Sequence, residues 1–190
     1  MVLAILAVAT SGSVTASADP YGGEPGGYSW IADSADHWYC FYVNLIGSAR
    51  APYHAAMQNL ASQTDMYDVF TSNCGGSTDV MYLHNPDLGS GVFGMAVCVS
   101  LVPGSSTRCG AYWAATNNSE YSSWLGPGHA PLDVHINQNI RHETGHTAGL
   151  THSTTPVSAM RSGLLPDYGG YNFVWGLYES HHVDHINAAF

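Results

Sequence analysis

The sequence predicts an α+β domain: a twisted, mixed sheet of about five strands, one backing helix, a second helix carrying a histidine motif, and a short C-terminal helix. Three observations lead there. Short stretches of alternating apolar and polar residues, rich in aromatic and β-branched side chains, recur through the first two thirds of the 190-residue chain. Longer stretches with helical spacing interrupt and follow them. The resulting order of strand, helix, several strands, helix, loop and helix suits helices packed on one sheet, and no internal repeat argues for another architecture.

The elements follow in order. Residues 1–9 are uncharged and apolar, and Ala16-Ser17-Ala18 precedes Asp19, the A-x-A arrangement of a secretory signal, although no Lys or Arg stands before the apolar run. The expectation is a signal peptide over 1–18, an irregular leader over 19–36 and one domain over 37–190. The apolar start is too short for a membrane span, and nothing later resembles one. Residues 38–45 (WYCFYVNL) read as the first strand. Residues 51–62 read as the first helix, with Pro52 near its start, where a missing N–H does no harm. Short strands are expected at 67–71 and 78–83, and two longer ones at 92–102 and 109–116, joined by Pro103-Gly104-Ser105-Ser106. Residues 131–148 form the second helix, closed by Gly149. Residues 180–189 form the last, with Ser180 as its cap.

Composition narrows function. Fourteen acidic residues face four arginines and no lysine, a net charge of −10, so the chain lacks the basic surface that nucleic-acid binding requires. Four cysteines in an exported chain read as two disulfides. Three connectivities exist; Cys98–Cys109 is favoured as a staple across a short connection, which leaves Cys40–Cys74. The five Trp and twelve Tyr suit core packing better than a carbohydrate-binding face in a chain this poor in charge.

The chemistry concentrates in His142-Glu143-Thr144-Gly145-His146-Thr147-Ala148-Gly149-Leu150-Thr151-His152, the pattern H-E-x-x-H-x-x-G-x-x-H. Histidines four apart share a helix face and reach one metal ion. Gly149 can take a positive φ, ending the helix and returning the chain so that His152 approaches as a third ligand. Three imidazoles leave one position of a tetrahedral zinc open, as in catalytic sites. Glu143 stands where it reaches water at the metal without being a ligand itself.

The motif continues into Ser153, Pro156 and Met160, and here the chain resembles the metzincin zinc endopeptidases, most closely their matrixin branch. A Met eight residues beyond the third histidine resembles the Met-turn. Astacin-like chains carry Tyr where Ser162 stands, and snapalysin-like chains carry Asp where His152 stands. The resemblance spans roughly residues 37–190, with its specific part at 142–160. It implies a catalytic Zn²⁺, one per chain, held by His142, His146 and His152, with Met160 as a hydrophobic floor. It implies peptide hydrolysis by water activated at the zinc with Glu143 as general base, and an extended polypeptide substrate lying along an edge strand near 94–98. Residues 161–175 are expected to wall the specificity pocket, with Leu164, Leu165, Tyr168 and Tyr171 as candidates to line it, although a loop this rich in Gly reads equally as plain connection. The expected protein is secreted and monomeric, with no nucleic-acid or membrane partner. Structural Ca²⁺ and a second structural zinc occur in matrixins, but their acid and histidine spacing is not evident here, and the latency switch cysteine is absent. A non-catalytic zinc-binding or adhesion module, or a zinc hydrolase of a non-protein amide, would carry the same ligands.

The remaining histidines divide. His181, His182 and His185 form a local cluster in which a second metal site competes with the commoner reading of solvated or hydrogen-bonded side chains. His135, seven before His142, reads as structural. His37, His54, His84 and His129 receive no role.

Overall fold

The structure, a computed structural model, describes residues 30–84, 87–153, 155, 157–165 and 176–190. The signal peptide, most of the leader, Pro156, Tyr168 and Tyr171 lie outside the described residues. The elements are β1 (Ile31–Ala32), β2 (Asp36–Phe41), a 3-10 turn at Gly47–Arg50, α1 (Ala51–Gln63), β3 (Tyr67–Phe70), β4 (Val80–His84), β5 (Gly94–Leu101), β6 (Arg108–Thr116), α2 (Asn118–Trp124), α3 (Leu132–Thr147) and α4 (Ser180–Ala189).

The six strands form one mixed sheet, as expected in kind, with one strand more than expected. Strand β2 pairs in parallel with β3 and β4, and β4 with β6. Strand β5 runs antiparallel to β6 along most of its length, from Gly94 opposite Thr116 to Leu101 opposite Cys109. That occupies one edge of β6, so β1 and β4 share its other edge, β1 at Arg108 and Cys109 and β4 from Tyr112 onward. Strand β5 therefore lies at the edge of the described sheet.

Alternation in the strands supplies the core. Tyr39, Phe41, Val80, Tyr82 and Ala114 face Tyr53, Ala56 and Met57 of α1 and Ile140 of α3. Tyr39, Tyr53, Tyr82 and Tyr112 are fully buried, so much of the tyrosine content is core. Buried phenols need partners. The Thr144 hydroxyl donates to the Ile140 carbonyl and receives the Tyr82 hydroxyl at 2.6 Å, which fixes α3 against β4. A second cluster joins Leu60, Met66, Ala148, Leu150, Met160, Tyr178 and Ile186 under the C-terminal end of α3. Both disulfides take the expected pairing, Cys40–Cys74 and Cys98–Cys109.

Three local expectations are corrected. The leader contributes β1, because Ile31 and Ala32 find the free edge of β6 beside its first residues. The connection after β6 is helical: α2 buries Tyr121. Glu179 stands at the N-cap of α4, without a side-chain capping bond, and Ser180 is the first helical residue. The Glu179 carboxylate turns away from its own helix to Ser153 and Thr155.

Candidate metal centre

Helix α3 brings His142 and His146 onto one face, and its C-terminus delivers the third histidine. Gly149 adopts φ 97°. The Leu150 N–H donates to the Gly145 carbonyl and the Gly149 N–H to that of His146, the paired bonds of a Schellman turn. A side chain at this φ would be strained, so the glycine of the motif is a backbone requirement. The turn sets the His152 ring 5.0 Å from those of both His142 and His146, which are 4.6 Å from each other. One nitrogen from each of the three histidines lies within 4.8 Å of the others.

The outer nitrogens decide what this cluster holds. His142 Nδ1 lies 3.2 Å from the Ala159 carbonyl and His146 Nδ1 2.7 Å from the Leu150 carbonyl. A carbonyl only accepts, so each Nδ1 carries the proton and each Nε2 presents a lone pair. Those two Nε2 atoms are 3.0 Å apart. Two acceptors at that distance repel unless a cation lies between them. Donors in a tetrahedral zinc site sit about 3.3 Å apart, given Zn–N distances of about 2.0–2.1 Å. Burial reinforces the neutral state: it takes His142 down to about 3, helped by nearby His152, and His146 well below the usual imidazole range. The residues present fit zinc.

Glu143 points into the same cleft. It is buried, and its Oε2 has no hydrogen-bond partner among the described residues. Burial pushes its carboxyl up to about 8. Its position depends on Gly94, the first residue of β5, which passes directly over it. A Cβ on Gly94 would overlap Glu143 Oε1 and lie 2.7 Å from Asn139 Oδ1. Asn139, one turn before Glu143, donates to the Phe93 carbonyl at 2.9 Å, and the Asn117 N–H donates to the same oxygen. The edge strand is thereby docked on α3 beside the carboxylate.

Met160 is fully buried and packs against Gly145, between His142 and His146 in the chain. A Cβ on Gly145 would collide with Met160 Sδ and lie 2.9 Å from Tyr178 Cε1, so the second unspecified position of the motif is kept small by the methionine. The Met160 carbonyl accepts from the Ser153 N–H at 2.9 Å. Gln138, one turn before His142, donates to the carbonyls of Ala159 and Arg161. The same Ala159 oxygen thus receives Gln138 and His142, tying the methionine turn to a ligand.

These residues border a cleft of about 260 Å³, with Val92, Phe93 and Gly94 on one side and Arg161, Ser162 and Gly163 on another. All four motif side chains, His142, Glu143, His146 and His152, line it. Leu164 and Leu165 do not: Leu165 packs with Ala130 and Val134 in a small core of its own. Sequence reasoning missed Gln138, Asn139 and Tyr121. The first two stand four residues before His142 and Glu143, a helical spacing that was readable. Tyr121 stacks on Phe93 at 4.3 Å and packs on His135. Burial, then the nearby Glu143 charge, raises its phenol above the usual range.

An α+β sheet protein with a three-imidazole centre open to a cleft is the class that fold and site define. No family model and no curated protein matches the sequence. Among solved structures the chain is similar to the crystal structure of archaemetzincin from Methanopyrus kandleri, with a TM-score of 0.49 and 12% identity over 83% of this chain and 97% of that one.

Proposed function

We propose that the chain is a secreted zinc endopeptidase of the metzincin type, matrixin-like in the segment from Ser153 to Met160. The observation that carries this reading is the pairing of two lone-pair nitrogens 3.0 Å apart with an unpartnered carboxylate in one cleft. Zinc held by His142, His146 and His152 would supply a Lewis acid that polarises a peptide carbonyl and acidifies water. Glu143 then takes the proton of the attacking water and returns it to the leaving nitrogen. A neighbouring cation also offsets the burial of Glu143 and favours the ionised form a base needs. The outer edge of β5 carries backbone groups for an extended peptide, with Gly94 placing the start of that edge beside Glu143. Met160 packs under Gly145 and keeps the ligand-bearing turn fixed. The two disulfides are compatible with export, and no described helix is long and apolar enough to cross a membrane.

The test is Glu143→Gln, which keeps the shape and removes the base. Zinc content should be retained while cleavage of a diverse peptide mixture falls by about 100-fold or more, within the range for general-base loss. Normal cleavage by this variant would remove Glu143 from the mechanism. Zinc retention with no turnover by the wild-type chain would favour a binding module.

A further inference from the structure

A second three-donor cluster lies outside the lining of the cleft. Glu179, His181 and His182 each offer one ligand atom, and those atoms lie within 4.8 Å of one another, the same criterion the cleft histidines meet. It differs from the grouping the sequence suggests, because Glu179 takes the place of His185. We propose that Glu179, His181 and His182 form a second zinc site, a clamp between α4 and the segment that follows the third ligand of the cleft.

The distances suit an ion pair and also leave room for a cation. His181 Nδ1 is 3.7 Å from Glu179 Oε2. That is too long for a hydrogen bond and close to the donor separation of about 3.3 Å expected around tetrahedral zinc. The two imidazole rings are 4.2 Å apart and inclined by 50°, and one nitrogen of each lies within 4.8 Å of the other. Two imidazoles and one carboxylate are a zinc donor set.

Glu179 is already pinned. Its Oε1 accepts from Ser153 Oγ and its Oε2 from Thr155 Oγ1 at 2.7 Å. A carboxylate has about four acceptor positions, so these bonds orient the group and leave Oε2 able to take a cation as well. The negative charge is needed, since the N-terminus of α4 carries positive partial charge and works against a cation. His182 is buried and His181 half-buried, which limits water access on the protein side.

Position gives the site its consequence. Ser153 directly follows His152, and its N–H is bonded to the Met160 carbonyl. A zinc ion here would hold Glu179, and through Ser153 and Thr155 the return segment, without lining the cleft, which contains none of the three donors. The role is structural.

The experiment is calorimetric titration of Zn²⁺ into the chelator-stripped full chain and into two variants. Wild type should bind two equivalents, and the second should raise the thermal midpoint. His181→Ala should bind one equivalent and lose that second rise. His142→Ala should keep the equivalent at α4. Binding of one equivalent by both wild type and His181→Ala overturns the proposal. Should a variant fail to fold, anomalous diffraction at the zinc edge on wild type decides: a peak between Glu179 and His181 supports the site, and its absence at saturating zinc refutes it. The cleft reading fails separately, as loss of the other equivalent.

Discussion

The two donor clusters meet the same distance criterion yet are held in opposite ways. In the cleft, the ligands are fixed from behind by backbone carbonyls: Ala159 on His142 and Leu150 on His146. At α4, the fixed donor is the Glu179 carboxylate, and side-chain hydroxyls of Ser153 and Thr155 fix it. Carbonyls select a tautomer and aim a lone pair, whereas hydroxyls orient an anion that already attracts cations. The first cluster is thus organised for direction and the second for charge. Only the first opens on a cleft with a carboxylate beside it, so proximity of donors alone does not make a reactive centre.

The largest effect should come from breaking the directed cluster. His146→Ala removes one of the two proposed ligands that are buried and carbonyl-bonded. Loss of an outer-shell partner alone typically costs 10–100-fold in metal affinity or activity. Loss of the ligand itself should therefore lower peptide cleavage by more than about 100-fold, with zinc at α4 retained. Zinc stoichiometry and a cleavage assay on one preparation check both halves. Equal loss of both equivalents would mean that the clusters are one cooperative unit.

A smaller effect should follow from moving the carboxylate and leaving the ligands in place. In Gly94→Ala the new methyl would enter the space of Glu143 Oε1 and Asn139. Both are ends of flexible side chains, so the fold can adapt by displacing them. A displacement of about 1 Å at a catalytic group costs roughly 100-fold in rate. The expected outcome is lower kcat with unchanged zinc content and a thermal midpoint close to wild type. Unchanged kcat would show that the close passage of β5 does not set the position of Glu143.

These two substitutions also mark what was legible in the sequence. The clustering of His142, His146 and His152 was legible because helical spacing, a turn glycine and three histidines are local relations within eleven residues. The edge strand was placed within two residues of its observed start, because alternation and the Pro103-Gly104 turn frame it. What escaped was non-local. Nothing in the chain around Gly94 shows that Glu143 and Asn139 press on it, since the contact spans more than forty residues. Strand β1 is two residues long and exists because β6 offers an edge, which no propensity signals. Helix α2 was missed because NSEYSSW has few strong helix formers, and its place is fixed by Tyr121 stacking on Phe93. Glu179 was overlooked because its partners lie more than twenty residues back, at Ser153 and Thr155.

The smallest effect sharpens the comparison from outside both clusters. His37 is a buried imidazole that belongs to neither, with its Nε2 2.8 Å from Thr147 Oγ1. Thr147 spends its own hydrogen on the Thr144 carbonyl, so His37 Nε2–H donates and Nδ1 is left as an acceptor without a hydrogen-bond partner among the described residues. Protonation would put a charge on that buried nitrogen, and burial lowers the group to about 4. The native state therefore binds fewer protons than the unfolded chain between about pH 4 and the usual imidazole value of about 6.5. Stability from this group is fully present above the unfolded value and falls as pH drops toward 4, by about 3 kcal/mol in total. His135, which burial also takes down to about 4, acts with the same sign. His37→Gln should flatten part of the acid limb of a denaturation series run from pH 7 to 4, with little change in peptide cleavage at neutral pH. An unchanged acid limb would show that this imidazole is solvated in the native state. A flattened one measures the penalty that burial places on the protonated imidazole.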